Sequence, residues 1–392
     1  MRRIYLDNNA TTALAPEVFA AMQPFWLDDY GNASSIHWFG QRAKAAVETA
    51  REQVAKLINA RPSEIVFTSG GTEADNAALV GIVEAARGAT KHLVTTAIEH
   101  HAVLHTAKAL EKKGVAVSFV RAGANGIVDP ADIARALRPD TVLISVMHAN
   151  NELGAIQPLE EIGRLARERD IYFHTDAVQS VGKIPVDVEK LGLDLLSLSA
   201  HKLHGPKGVG VLYIRKGTIL KPLIHGGHDE RDRRPGTENV TGIVGLGKAA
   251  ELARGRMVEA SERMAALRDR LEEGLLSQVP LSAVNGDRAR RLPNTANLRF
   301  DYIEGEGFVI ALDLRGIACS TGAACSSGAV EPSHVLSAIG LRPDQARSSV
   351  RFSLSRYTTA EDIGAALEVI PATVERLRAV SPRYRTAVTS GK

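Results

Sequence analysis

Cysteine is scarce in this chain, with two among 392 residues, Cys319 and Cys325. Two thiols cannot build the disulfide framework of a small secreted scaffold, so the chain reads as cytoplasmic. Its first residues, Met1-Arg2-Arg3-Ile4-Tyr5-Leu6-Asp7, meet charge before an apolar stretch of leader length develops. Long apolar runs are lacking as well. Stretches such as Thr141 to Met147 stop well short of the ~18 residues that a membrane span needs. A surplus of one charge is also missing, since 48 basic residues against 45 acidic ones leave a net +3. Without a block of like charges, the drive to bind a phosphate backbone is weak. Neither a membrane nor a nucleic acid is expected as a partner.

What is present suits a globular protein large enough for two domains. Hydrophobic residues make up 44% and charged ones 24%, enough to bury a sizeable core. Short β-branched runs alternate with helical patterns. Ile65-Val66-Phe67 precedes a helix from Thr72, His92-Leu93-Val94 one from about His100, and Val142 to Val146 one from Pro158. That alternation predicts an α/β fold with a mostly parallel sheet. Pro16 opens a helix, Gly114 closes one and Asp129-Pro130 caps another. Val47, Ala50, Val54, Leu57 and Ile58 recur at helical spacing and mark a buried stripe. Between Ile171 and Arg215 the pattern turns to strands. From about Val240 to Val279 a long helical pattern interrupted by glycines links a first domain to a second. Beyond it, Asn297 to Phe300, Phe308 to Leu314, Val350 to Leu354 and a helix from Thr359 outline a smaller α+β domain.

Three stretches could carry chemistry. In Phe67-Thr68-Ser69-Gly70-Gly71-Thr72-Glu73 a strand ends in two glycines at the start of a helix. Glycines let the backbone approach an anion, and a helix N-terminus offers unpaired N–H groups. The alternative is an ordinary turn with Thr72 as N-cap. No Gly-Lys-Ser/Thr follows, so this is not a Walker loop. In Leu198-Ser199-Ala200-His201-Lys202 a lysine closes an apolar strand; it is either a surface charge or an amine made nucleophilic by burial. Asp176, at the end of another strand in Phe173-His174-Thr175-Asp176, shifts the balance. A phosphate cradle, a strand-end acid and a strand-end lysine are the parts that hold pyridoxal phosphate. Third, Ile317 to Val330 lacks any large apolar residue in between and carries both cysteines, so it reads as a mobile loop bearing a thiol, or else as a small-residue turn with incidental cysteines. Histidine pairs at His101/His105, His201/His204 and His225/His228 lack a completing ligand set, and no metal is expected. Arg351, inside a strand pattern, suits either a ligand carboxylate or a solvated edge.

Together these blocks resemble the class V aminotransferase-like branch of pyridoxal phosphate enzymes, and within it the cysteine desulfurases of the nitrogen-fixation and iron–sulfur-cluster type. The likeness runs from Tyr5-Leu6-Asp7-Asn8-Asn9-Ala10-Thr11-Thr12 through Gly31-Asn32-Ala33-Ser34-Ser35, Ala149-Asn150-Asn151-Glu152, Ser199-Ala200-His201-Lys202 and Arg291-Leu292-Pro293-Asn294-Thr295. It ends with Arg351-Phe352-Ser353-Leu354-Ser355-Arg356-Tyr357-Thr358-Thr359. Gly226-Gly227-His228-Asp229-Glu230-Arg231 and Ala324-Cys325-Ser326-Ser327-Gly328 look most like the nitrogen-fixation member.

The resemblance implies fold type I, with an N-terminal arm over residues 1–14, a large cofactor domain over 15–256 and a small domain over 257–392 carrying the cysteine loop at about 318–332. It implies Lys202 as the Schiff-base lysine, Asp176 on the pyridinium nitrogen, Gln179 on the ring hydroxyl and His100 stacked on the ring as a proton carrier. Gly71, Thr72, Ser199 and His201 would hold the phosphate, joined by Thr237 from a second subunit of a homodimer. Asn151 and Arg351 would grip the carboxylate of L-cysteine, and Cys325 would take its sulfur as a persulfide for an iron–sulfur scaffold, nitrogenase being the natural destination. Ala200 replaces a common glycine. Cys319 stands where Ala or Ser is usual and could pair with Cys325, accept its sulfur or do nothing; the last is expected. A selenocysteine lyase or a class V aminotransferase of the same fold would share Lys202 without needing Cys325. A third reading, a sulfur-carrier scaffold with a structural cofactor, would not depend on Lys202 for delivery.

Overall fold

The computed structural model describes residues 2–321 and 332–389. Twelve strands follow in chain order: β1 Ile4–Tyr5, β2 Ile65–Thr68, β3 His92–Thr96, β4 Ala116–Val120, β5 Thr141–Ser145, β6 Tyr172–Asp176, β7 Leu195–Ser199, β8 Gly210–Ile214, β9 Ser282–Val284, β10 Thr295–Phe300, β11 Ile317–Ala318 and β12 Ser349–Ser353. Seven of them form one sheet in the order β2-β8-β7-β6-β5-β3-β4. Within it β8 runs antiparallel to both neighbours, and the remaining pairs are parallel. The fold is thus α/β around a mostly parallel sheet. Strands β5 to β7 are almost wholly buried, as expected where helices cover both faces of a parallel sheet.

The helices begin where local chemistry allows. Pro16 occupies the first turn of Pro16–Met22, and the Asp129 carboxylate accepts the Ala131 N–H at the start of Pro130–Ala136. Thr359 caps Ala360–Val380 through the Asp362 N–H, with Asp362 reaching back to Thr359. The stripe Val47, Ala50, Val54, Leu57 and Ile58 is buried. One start differs from expectation. Gly70, not Thr72, is the N-cap of Gly71–Ala85, so Thr72 lies inside the first turn with its N–H among the unpaired donors. Phe308 to Leu314 falls largely in the helix Gly305–Asp313.

The glycine-interrupted pattern after Val240 is one helix of 39 residues, Val240–Gln278. Its glycines do not break it, and Gly245 and Gly247 are contact points. A Cβ on Gly247 would stand 2.6 Å from Ala50 Cα, and one on Gly245 2.6 Å from Met22 Sδ. The first half buries Ile243, Leu246 and Ala250 in the core under the large sheet, and the second buries Leu271 and Leu275 in a separate cluster. That second cluster packs around the antiparallel sheet β12-β10-β9.

Ile4 and Leu6, from the first residues of the chain, belong to this second cluster, and β1 pairs in parallel with β11. An amide network ties down the arm that follows. Asn9 donates to Thr295 Oγ1 at 2.9 Å and accepts from Asn294 at 3.0 Å, while its own N–H reaches Ser353 Oγ at 2.9 Å. Buried amides of this kind are costly unless every polar atom finds a partner, so they specify a single seat for the arm. Cys319 is buried in the same cluster, and burial pushes its thiol well above the usual range, which suppresses the thiolate needed for reactivity.

Candidate active site

The carboxyl ends of β6 and β7 lie side by side, and each strand stops on a polar residue that turns into the same hollow. Asp176 ends β6; Ser199 ends β7 and leads into the single turn Ala200–Lys202. The end of β2 opens on the same edge, where Gly70 and Gly71 lead into the helix Gly71–Ala85. This is the rim at which open α/β sheets bind ligands. Here a cavity of about 290 Å³ is lined by Gly71, Thr72, His100, Asn151, Asp176, Gln179, Ser199, His201 and Lys202, together with Ala10, Asp75, Met147 and Val178. A neighbouring hollow shares Gly71, Thr72, Ser199 and His201 and opens toward Lys207 and Gly208.

Gly71 and Gly210 leave no room for side chains. A Cβ on Gly71 would lie 2.7 Å from Val178 Cγ2, and one on Gly210 2.7 Å from the Gly70 backbone. Bare backbone N–H groups at the start of a 15-residue helix therefore face the hollow, and they suit an anion. His201 holds Thr11 Oγ1 at 3.1 Å. Burial, with Lys202 and Lys207 nearby, pushes its pKa down to about 4, so it serves as a neutral hydrogen-bonding group.

Asp176 accepts the Val178 N–H at 2.9 Å. Burial raises its carboxyl, while His100, that N–H and Lys202 oppose the rise. Asp75 lies one helical turn beyond Thr72 on the same cavity wall and is raised well above the usual range by burial and by Asp176. Two buried carboxyls in one cavity disfavour each other's ionisation, and Asp176 is the one that His100 and Lys202 favour as the anion. Behind them His174 bridges Ser145 at 2.9 Å and Ser197 at 3.0 Å. Burial holds that imidazole neutral, near 3.

Lys202 hydrogen-bonds the carbonyls of Asn9 and Ala10, the latter at 2.8 Å. Burial first, then Arg351, push its ammonium down to about 8 against the pull of Asp176 and Asp7. A usable fraction of free amine is therefore present near neutral pH. His100 is the N-cap of His101–Lys112, and its Nδ1 accepts the Ala102 N–H at 3.1 Å. That bond leaves Nε2 as the nitrogen that carries the proton. Burial lowers its pKa.

Three predicted residues stand apart from this group. Arg351 is buried but does not line the cavity. It donates to Asp7 Oδ1 at 2.7 Å and to the Asn151 carbonyl at 2.9 Å, and its Nε has no partner. Thr237 is exposed and away from the cavity of its own chain. Cys325 lies outside the described residues. The residues flanking it are anchored at the site: Ser320 pairs with the Arg351 backbone, and Ser333 donates to the buried Glu152 at 2.6 Å. Among the described residues no group of three or more His, Cys, Asp or Glu side chains could hold a metal, and no helix is long and apolar enough to cross a membrane.

Sequence reasoning missed Asp75, Met147 and the carbonyls of Asn9 and Ala10. Asp75 had a signal, because it follows Thr72 at i+3 and must share its helix face. The arm carbonyls had none.

The Aminotransferase class-V family model matches residues 4–365, and the chain belongs to that family. Within it, the chain is similar to proteins named for one activity. It is 52% identical over 381 residues to "Cysteine desulfurase IscS" of Dictyoglomus turgidum, covering 97% of each chain. Among solved structures it matches a NifS-like protein with a TM-score of 0.90 at 40% identity, over 96% of this chain and all of that one. It also matches "SspA in complex with cysteine" with a TM-score of 0.81 at 38% identity, over 91% of this chain and all of that one.

Proposed function

We propose that this chain is a pyridoxal-phosphate-dependent cysteine desulfurase that converts L-cysteine to L-alanine and passes the sulfur to Cys325. The observation that carries the reading is one cavity that joins a glycine-lined helix N-terminus, a buried carboxylate facing cations and a lysine held near 8. Pyridoxal phosphate fits these residues: the Gly71 and Thr72 backbone with Ser199 and His201 would hold its phosphate, Asp176 its ring nitrogen, Gln179 its ring oxygen and Lys202 its aldehyde. Bound there, it supplies an electron sink that no side chain provides.

The chain's own residues do the rest. Asp176 would hold a proton at the ring nitrogen, and His100, whose Nδ1 is engaged by the Ala102 N–H, would use Nε2 to carry protons. Asn151 and Arg351 orient the substrate carboxylate. The Cys325 thiol becomes a persulfide as the substrate's Cβ–Sγ bond breaks; one cysteine and one thiol give one alanine and one persulfide, with no outside oxidant. A "SspA in complex with cysteine" among the structural neighbours supports the choice of substrate.

The finer parts of the reading follow. The sulfur goes to an iron–sulfur scaffold, with nitrogenase as the destination, in the cytoplasm, where few cysteines suit a reducing medium. The chain works as a homodimer, with Thr237 completing the phosphate site of the second copy. Trp26, Leu27, Tyr30, Ile36 and Trp38, close together in sequence, are exposed apolar side chains available for that contact. The arm over residues 1–14, the large domain over 15–256 and the small domain over 257–392 are the working divisions, supported by the two separate cores that the 39-residue helix joins.

The test is anaerobic sulfide release from L-cysteine with a thiol reductant, run on cofactor-loaded wild type and Cys325→Ala together. Release by wild type and silence from a variant that still binds cofactor is the expected result. Equal activity, or none in either, would move the assignment to an aminotransferase or a selenocysteine lyase.

A further inference from the structure

Lys183 is a buried lysine that the chemistry above does not use. It is 6% exposed, and its ammonium has no carboxylate partner among the described residues. It donates instead to the Gln179 carbonyl at 2.8 Å and faces Gln179 Oε1 at 3.4 Å. At the other end of that amide, Gln179 Nε2 donates to the Asn9 carbonyl at 2.9 Å. The same carbonyl accepts from Lys202. The backbone of Lys183 is fixed too, since its carbonyl accepts from Ser261 at 2.5 Å, a residue of the long helix.

An ammonium can only donate and a carbonyl can only accept. While Lys183 is protonated, these two neighbours admit one orientation of the Gln179 amide, with oxygen toward Lys183 and nitrogen toward Asn9. Reversed, the NH₂ would face an ammonium and the oxygen a carbonyl, and both contacts would be lost. What remains uncommitted is the second N–H of Gln179, on a residue that lines the cavity. We propose that Lys183 is a positioning residue that locks the Gln179 amide so that an N–H donor, not a carbonyl oxygen, meets the ring oxygen of the bound cofactor.

Packing alone does not call for a cation here. On its other side Lys183 borders a small cavity of about 40 Å³ that mixes apolar Leu203, Ala253 and Met264 with basic Lys202, Arg256 and Arg356 and offers no carboxylate. Burial, with Lys202 and Arg351 close by, pushes the ammonium down to about 7. A charged group kept in such a place is costly, and its contact with Gln179 gives it a use.

The inference rests on pyridoxal phosphate binding in this cavity, and the experiment separates the two. Cofactor affinity is measured by titrating pyridoxal phosphate into apo-protein of wild type, Lys183→Met, Lys183→Arg, Gln179→Ala and the Lys183→Met/Gln179→Ala double variant. Apo-protein melting serves as the check of folding. Lys183→Met should bind about tenfold more weakly, Lys183→Arg within about twofold of wild type, and the double variant no more weakly than Gln179→Ala alone. A lysine that merely supports the fold would weaken binding equally in both backgrounds, and that result overturns the proposal. So does wild-type affinity in Lys183→Met. If wild type itself takes up no cofactor, the functional reading fails and this inference falls with it. Should Lys183→Met not fold, apo-protein melting of Gln179→Glu against Gln179→Met decides: a carboxylate in contact with Lys183 should melt no lower than the methionine variant, and a lower melting temperature refutes the contact.

Discussion

The two sides of the cavity are built differently. The sheet side is made of residues that end strands or begin helices: Asp176 closes β6, Ser199 closes β7, and Gly71 and Thr72 begin a helix. Each is placed by its own element, and none depends on a salt bridge. The opposite side is assembled from segments far apart in the chain. Ala10 comes from the arm and Asn151 from the turn after β5, and behind Asn151 stands Arg351 of β12, whose guanidinium Asp7 engages. The first side is rigid because the sheet is rigid. The second is only as fixed as the network that seats the arm, and its cation is already partly neutralised.

This contrast predicts different failures on the two sides. Lys202→Ala should lower desulfurase turnover by on the order of a thousandfold or more, because the variant loses the amine that links the cofactor. It should still fold, and turnover above a tenth of wild type would show that Lys202 is not that amine. On the other side, Arg351→Lys should raise KM for L-cysteine about tenfold with kcat nearly held, since a point charge replaces a planar fork. Asp7→Asn should change KM by no more than about threefold while lowering the melting temperature of the apo-protein, because it loosens the arm rather than the grip. Steady-state kinetics on the two variants would erase the contrast if both lost kcat alike.

The smallest effect concerns pH. The Lys183 ammonium is held near 7 in the folded protein, far below its value of about 10.4 in an unfolded chain. The unfolded state thus binds more protons between these values, and this residue's contribution to stability rises with pH across that window. Wild-type apo-protein should gain about 2 °C in melting temperature relative to Lys183→Met between pH 6.5 and 9. A constant difference would mean that Lys183 does not titrate in the folded state.

Much of this was legible in the sequence because it depends on neighbours along the chain. The helix starts at Pro16, Asp129-Pro130 and Thr359 rest on capping chemistry within three or four residues. The stripe from Val47 to Ile58 rests on helical period. The strand ends at Asp176 and Ser199 rest on where apolar runs stop. What failed to show were one local helix start and the relations across the chain. Thr72 looks like an N-cap in isolation, but the extended backbone of Gly70 takes that place and moves Thr72 into the first turn. The glycines at 245 and 247 look like breaks, and only their contacts with Met22 and Ala50 explain them. Asp75 has an ordinary helical spacing and becomes notable only beside Asp176.

By itself, then, the sequence marked the strand ends at Asp176 and Ser199 and the glycine-led helix start after β2, and so much of the half of the cavity that a sheet edge can offer. That half was legible because the stop of an apolar run and a helix start are set by adjacent residues. The tertiary structure decided the other half: that the arm's carbonyls face Lys202, that Arg351 answers to Asp7, and that the Gln179 amide meets the Asn9 carbonyl. Those contacts join residues up to several hundred positions apart, and they hold because buried polar atoms must find partners wherever the fold brings them.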